Sequence, residues 1–95
     1  MDKILSNLGL CQRAGGIIAG EELVVEGIRN NSVYLVFLAS DAGANTTKKI
    51  KDKANYYGVE VVESYSSLEL SNAIGKNGRM VLGISNKNFL NILKK

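Results

Sequence analysis

Glu21 and Glu22 follow Gly20 at the head of the stretch "IAGEELVVEGI". A carboxylate accepts hydrogen bonds from adjacent donors, and the N1–H and amino group of guanine offer such a pair. The same acids suit a plainer role, complementing the positive end of a helix dipole by about 0.3–1 kcal/mol each. Both readings start a helix at Gly20. In a base-reading site, lysines and arginines nearby would supply the phosphate attraction, and the acids would add selectivity. Such a mixture suits RNA whose base edges are exposed outside ordinary pairing.

Other chemistries have little support. The chain has no histidine, so the commonest general base and metal ligand is missing. A structural zinc site is disfavoured for the same reason. The single Cys11 cannot form an internal disulfide. It recurs with Ile4, Leu5 and Leu8 at helical spacing, as a core cysteine would. "GIIAGEE" has the glycine spacing of a phosphate loop, but two acids stand where lysine and serine or threonine are needed. Asp41 follows a strand at a position where open α/β sheets often bind ligands, and a turn or capping aspartate is the simpler reading. The expectation is a chain that is not an enzyme, with no catalytic residue, metal site or cofactor.

Net charge is +3 with a pI near 9.1, a mild lean toward an anionic partner. Its distribution is polarised. Lys48, Lys49, Lys51 and Lys53 crowd around Asp52, whereas residues 60–69 are acidic. A lysine-rich helix face is either merely solvated or an auxiliary phosphate contact. Among the tyrosines that could stack on bases, Tyr34, Tyr56, Tyr57 and Tyr65, the spacing assigns Tyr34 and Tyr57 to the core.

The elements that must position these groups follow from periodicity. A first helix ends at "RAGG", and "GII" suits a short strand. From Gly20, a helix puts Leu23, Val24 and Ile28 on one face and Glu22, Glu26, Arg29 and Asn30 on the other, and "RNNS" ends it. "VYLVFLA", residues 33–39, reads as a central strand covered on both faces. Asn45 or Thr46 can cap the next helix, which buries Ile50, Ala54 and Tyr57, pairs Lys48 with Asp52, and ends at Gly58. "VEVV" is a second short strand. Ser66 and Glu69 form a capping box for a helix burying Leu70, Ala73 and Ile74 and ending at Gly75. "RMVLGI" is the last strand, and Asn86 caps a final helix with Phe89, Leu90 and Leu93. About five helices alternating with about four strands predict a single domain over residues 1–95, a three-layer α/β/α sandwich with a small mixed sheet. No stretch reaches the roughly 18 apolar residues of a membrane span, and the N-terminus does not read as a signal peptide. A cytoplasmic setting is expected.

The run "RAGGIIAGEELVVEGIRNNSVYLVFLASDAGANTTKKIKDKANYYGVEVV", continued by "LELSNAIGKNGRMVLGI", resembles the L-seven-Ae ribosomal protein family in its bacterial YlxQ/YbxF-type branch. That resemblance implies an α/β/α sandwich and a ribosome- or translation-associated RNA-binding role directed at kink-turns, sharply bent duplexes with tandem sheared G·A pairs. It implies structured RNA or the ribosome as partner, with no membrane and no DNA. Carried over, Gly20, Glu21, Glu22 and Leu23 would face the G·A pairs, and Gly75, Lys76, Asn77, Gly78 and Arg79 would cover a flipped-out nucleotide. Arg13 and Arg29 are expected to flank the reading turn. Related sequences usually carry an Asn-Glu or Lys-Gln pair where this chain has Glu22-Leu23, and lysine where it has Gly16 and Glu26. The alternative is therefore a protein-interaction module that kept the fold and lost RNA specificity.

Overall fold

The computed structural model describes residues 2–94. Its elements run α1 (Lys3–Arg13), β1 (Ile17–Ala19), α2 (Glu21–Arg29), β2 (Leu35–Leu38), α3 (Ala44–Tyr57), β3 (Glu60–Val62), α4 (Ser67–Ile74), β4 (Val81–Ile84), a 3-10 turn (Lys87–Phe89) and α5 (Leu90–Leu93). The strands form one sheet in the order β1-β4-β2-β3, with β4 antiparallel to both neighbours and β3 parallel to β2. The mixed sheet expected from the sequence is therefore present.

Alternation along the strands makes the two cores. Leu35 and Phe37 of β2, with Leu82 and Ile84 of β4, face α1, α4 and α5, where Leu8, Cys11, Leu70 and Leu93 meet them. Val36, Leu38 and Val81 point the other way, onto Val24, Val25 and Ile28 of α2 and Ile50 and Ala54 of α3. Successive strand residues alternate faces, so a strand apolar throughout must be covered on both sides. Phe37 is fully buried, and truncating such a side chain leaves a cavity costing about 3–5 kcal/mol. Burial also pushes the Cys11 thiol up to about 11, away from the thiolate that nucleophilic chemistry needs.

The capping chemistry follows the sequence in α4. The Ser66 side chain accepts from the Glu69 amide, the Glu69 carboxylate accepts from the Ser66 amide, and Gly75 closes the helix in the left-handed region. Gly58 closes α3 in the same way, and Asn31 takes the left-handed conformation after α2.

Several expectations need correction. β2 is shorter than residues 33–39: Val33 and Ala39 are buried beyond its ends, and Tyr34 is only half-buried, with the Lys87 ammonium 5.7 Å above its ring. Tyr57 is exposed and packs edge-on against the more exposed Tyr56 rather than into the core. Leu23 is 62 % exposed, because the helix turns Val24, Val25 and Ile28 to the sheet and leaves its neighbour outside. Neither Asn45 nor Thr46 caps α3; Gly43 is its N-cap, with no side-chain bond. Ala73 is half-buried, and Asn86 caps the 3-10 turn that leads into α5 rather than α5 itself.

Candidate nucleic-acid interface

Two parts of the chain far apart in sequence meet at one end of the sheet. The Gly20 amide donates to the Val81 carbonyl at 3.0 Å, and the Ala39 amide donates to the Met80 carbonyl at 2.8 Å. The entry to β4 is thus stitched to the ends of β1 and β2, which brings the loop after α4 beside the head of α2. Ser71, a buried hydroxyl on α4, fixes that loop from behind. Its Oγ accepts from the Arg79 amide at 2.8 Å and donates to the Arg79 carbonyl at 3.4 Å.

Gly20, Glu21, Thr46, Gly78, Arg79, Met80 and Val81 enclose a pocket of about 180 Å³. Gly20 sits at φ 111° and ψ 145°, a conformation that L side chains rarely adopt, so the corner demands glycine. No side chain caps α2. Its first-turn N–H groups, which have no intrahelical acceptor, therefore remain open. Arg79 adds a second unanswered donor, because its Nε is buried without a hydrogen-bond partner. Leaving such a donor unpaired costs about 1–3 kcal/mol.

The two acids have different fates. Glu21 is engaged at both oxygens: Oε1 accepts from the Thr46 hydroxyl at 2.7 Å and Oε2 lies 3.1 Å from the Lys49 ammonium. The Thr46 hydroxyl, and after it Lys49, hold the Glu21 carboxyl below its ordinary range, against partial desolvation. Glu22 is exposed and makes no hydrogen bond or ion pair among the described residues. Glu26 is exposed one turn further along α2, so this face is acidic, with Leu23 standing out beside it.

The other expected residues spread over a wider surface. Lys76 and Asn77 are exposed in the loop, next to the pocket residues Gly78 and Arg79. Gly75 and Arg13 line a different feature, a groove of about 450 Å³ between α1 and α4. Arg13 is therefore gathered with the start of the loop rather than with Gly20. Arg29 occupies the far end of α2, roughly 13 Å from Gly20 at 1.5 Å rise per residue, and does not flank the turn. Gly16 is equally displaced: it lies at the opposite end of β1 from Gly20, buried, and a Cβ there would meet Asn86 Cβ and Cys11 Sγ at 2.8 Å each. Any larger side chain at that position would have to displace both neighbours.

Thr46, Met80 and Val81 join the pocket without having been singled out for it. For Thr46 the sequence offered a competing use as a helix cap. Asp41 accepts from the Ser67 amide and hydroxyl at 2.7 Å each, clamping the β2–α3 loop to the head of α4, which Ser66 caps. Those bonds hold its carboxyl below the ordinary range. The described residues hold no cluster of His, Cys, Asp and Glu that could bind a metal ion, and no helix among them is long and apolar enough to cross a membrane.

An α/β/α sandwich with a glycine corner and a donor-lined pocket at the end of its sheet defines the class. Residues 2–94 match the Ribosomal protein L7Ae/L30e/S12e/Gadd45 family, and the chain belongs to it. It is 46% identical over 87 residues to the RNA-binding protein YlxQ of Enterococcus faecium, covering 92% of this chain and 84% of that one. It is 43% identical over 86 residues to the RNA-binding protein YlxQ of Bacillus subtilis (strain 168), covering 90% and 86%. Among solved structures, a protein with unknown function from Bacillus halodurans C superposes with a TM-score of 0.95 at 41% identity, over 99% of this chain and 95% of that one. The Giardia lamblia 15.5kD RNA binding protein superposes at 0.85 over 97% and 79% of the two chains, and at 18% identity it bears on the fold alone.

Proposed function

We propose that this protein binds structured RNA through the pocket between the Gly20 turn and the Gly78–Arg79 loop, in a ribosome- or translation-associated role in the cytoplasm. The finer expectation is RNA of the kink-turn type, and the role is non-catalytic. One observation carries the reading: Arg79, whose buried Nε has no hydrogen-bond partner, and the uncapped head of α2 line the same pocket. Donors so placed suit the acceptor atoms of bases, ribose or phosphate. Glu22, with both oxygens free, adds an acceptor for amino and imino donors of exposed bases. The names of the YlxQ relatives support the RNA partner.

The test is a calorimetric or gel-shift titration with a kink-turn hairpin and a control whose G·A pairs are replaced by Watson–Crick pairs. Preferential binding to the kink-turn supports the full reading. Equal, weak binding to both removes the kink-turn, and no binding to any structured RNA removes the function. A second reading, a protein-interaction module, draws on exposed Leu23 between Glu22 and Glu26. It predicts a protein partner on pull-down that survives nuclease treatment.

A further inference from the structure

Glu21 and Lys49 carry an assignment that goes further and rests on the RNA-binding reading above. We propose that Lys49 is a phosphate-contacting residue of this site and that Glu21 is its positioning residue, holding the ammonium at the pocket edge. Glu21 lines the pocket, but both its oxygens are already taken by Thr46 and Lys49. Each oxygen already accepts one donor, so Glu21 has less acceptor capacity to offer a base than Glu22, which is unengaged among the described residues.

Lys49 lies one turn along α3 from Thr46, which lines the pocket as well. Its ammonium stands 3.1 Å from a pocket carboxylate, with the side chain about half exposed. An ammonium has three donors, so two remain for a phosphate oxygen after Glu21 takes one. The neighbouring lysines differ. Lys48 pairs with Asp52 on its own helix, and Lys51 pairs with Glu63 at the end of β3. Neither partner lines the pocket. A lysine free in solution loses much rotamer freedom when a ligand fixes it, and one already held by an ion pair loses less.

Charge counting and positioning predict opposite signs. Glu21 is an acid beside a site for a polyanion, so removing it should strengthen RNA binding if charge alone matters. If Glu21 holds Lys49 in place, removing it should weaken binding. The experiment titrates the kink-turn hairpin into wild type, Glu21→Ala, Glu21→Gln, Lys49→Ala and the Glu21→Ala/Lys49→Ala double variant at several salt concentrations, with thermal melts confirming folding. Glu21→Gln keeps the shape and an acceptor for Thr46, so it guards against a variant that fails to fold.

The expected result is a loss of about threefold or more for Glu21→Ala and Glu21→Gln. Lys49→Ala should lower the slope of log affinity against log salt by about 0.7–0.9, the signature of one lost phosphate contact. Glu21→Ala should cause no further loss in the Lys49→Ala background, because it acts through that lysine. Tighter binding by Glu21→Ala, or an unchanged slope for Lys49→Ala, overturns the assignment while leaving the RNA reading in place. Failure of wild type to bind this hairpin or any other structured RNA brings down the RNA reading and the assignment with it.

Discussion

Helix α3 packs four lysines into residues 48–53, whereas the loop after α4 holds only Lys76 and Arg79. On α3, Lys48, Lys49 and Lys51 each face a carboxylate, from Asp52, Glu21 and Glu63 respectively. In the loop, neither cation forms an ion pair among the described residues, and Arg79 keeps a buried donor unanswered. The denser cluster is the more neutralised one. Density of charge along a chain therefore does not report the charge available to a ligand; two of the three partners, Glu21 and Glu63, come from outside the helix. Within α3, only Lys49 has a partner that lines the pocket.

The comparison can be broken or sharpened by mutation. Lys76→Ala with Arg79→Ala should lower RNA affinity on the order of tenfold or more, since each is proposed as a contact. Melting temperature should barely change for Lys76, which is exposed. An unchanged affinity would show that the loop's cations are idle and that the contrast with α3 means nothing. Charge reversal on the acidic face comes next. Glu26→Lys should raise affinity several-fold and steepen the salt slope by about 0.7–0.9, as one added phosphate contact would. No change in slope would place the ligand away from α2.

A third expectation concerns the scaffold behind the loop. Asp41 has a carboxyl pKa depressed in the folded protein by its bonds to Ser67. Its contribution to stability is therefore present above the ordinary carboxylate range and is lost as pH falls through the depressed value. Asp41→Asn should melt a few degrees below wild type at neutral pH, with the gap closing under acid. A gap that stays constant with pH would mean the clamp is not charge-assisted. The smallest effect is expected on α3. Lys48→Ala with Lys51→Ala should change RNA affinity by less than about twofold, because their partners Asp52 and Glu63 lie outside the pocket. A tenfold loss there would invert the comparison.

Much of the fold was legible because its signals are local. The capping box at Ser66 and Glu69, the terminal glycines Gly58 and Gly75, and the unbroken apolar strand each act within a few residues. The glycine corner at Gly20 and the loop at 75–79 were legible as a candidate site through resemblance, and their meeting depends on backbone bonds from Gly20 and Ala39 to the entry of β4. Periodicity erred at Leu23 and Tyr57, where a helix at the edge of a layer turns an apolar residue outward. It could not see that Thr46 would serve Glu21 instead of its own helix, since that bond crosses between α2 and α3. Arg13 and Arg29 were expected to flank the turn, but Arg29 ends the helix that starts there and Arg13 lines the groove between α1 and α4.

The most direct test of the shared pocket is amide chemical-shift mapping of the labelled protein during titration with a kink-turn hairpin. The account predicts that Gly20, Glu21, Glu22, Thr46, Gly78 and Arg79 shift together, at one midpoint, while Lys48, Lys51 and Arg29 stay still. Shifts confined to one side of the pocket, or centred on the outer face of α3, would contradict it.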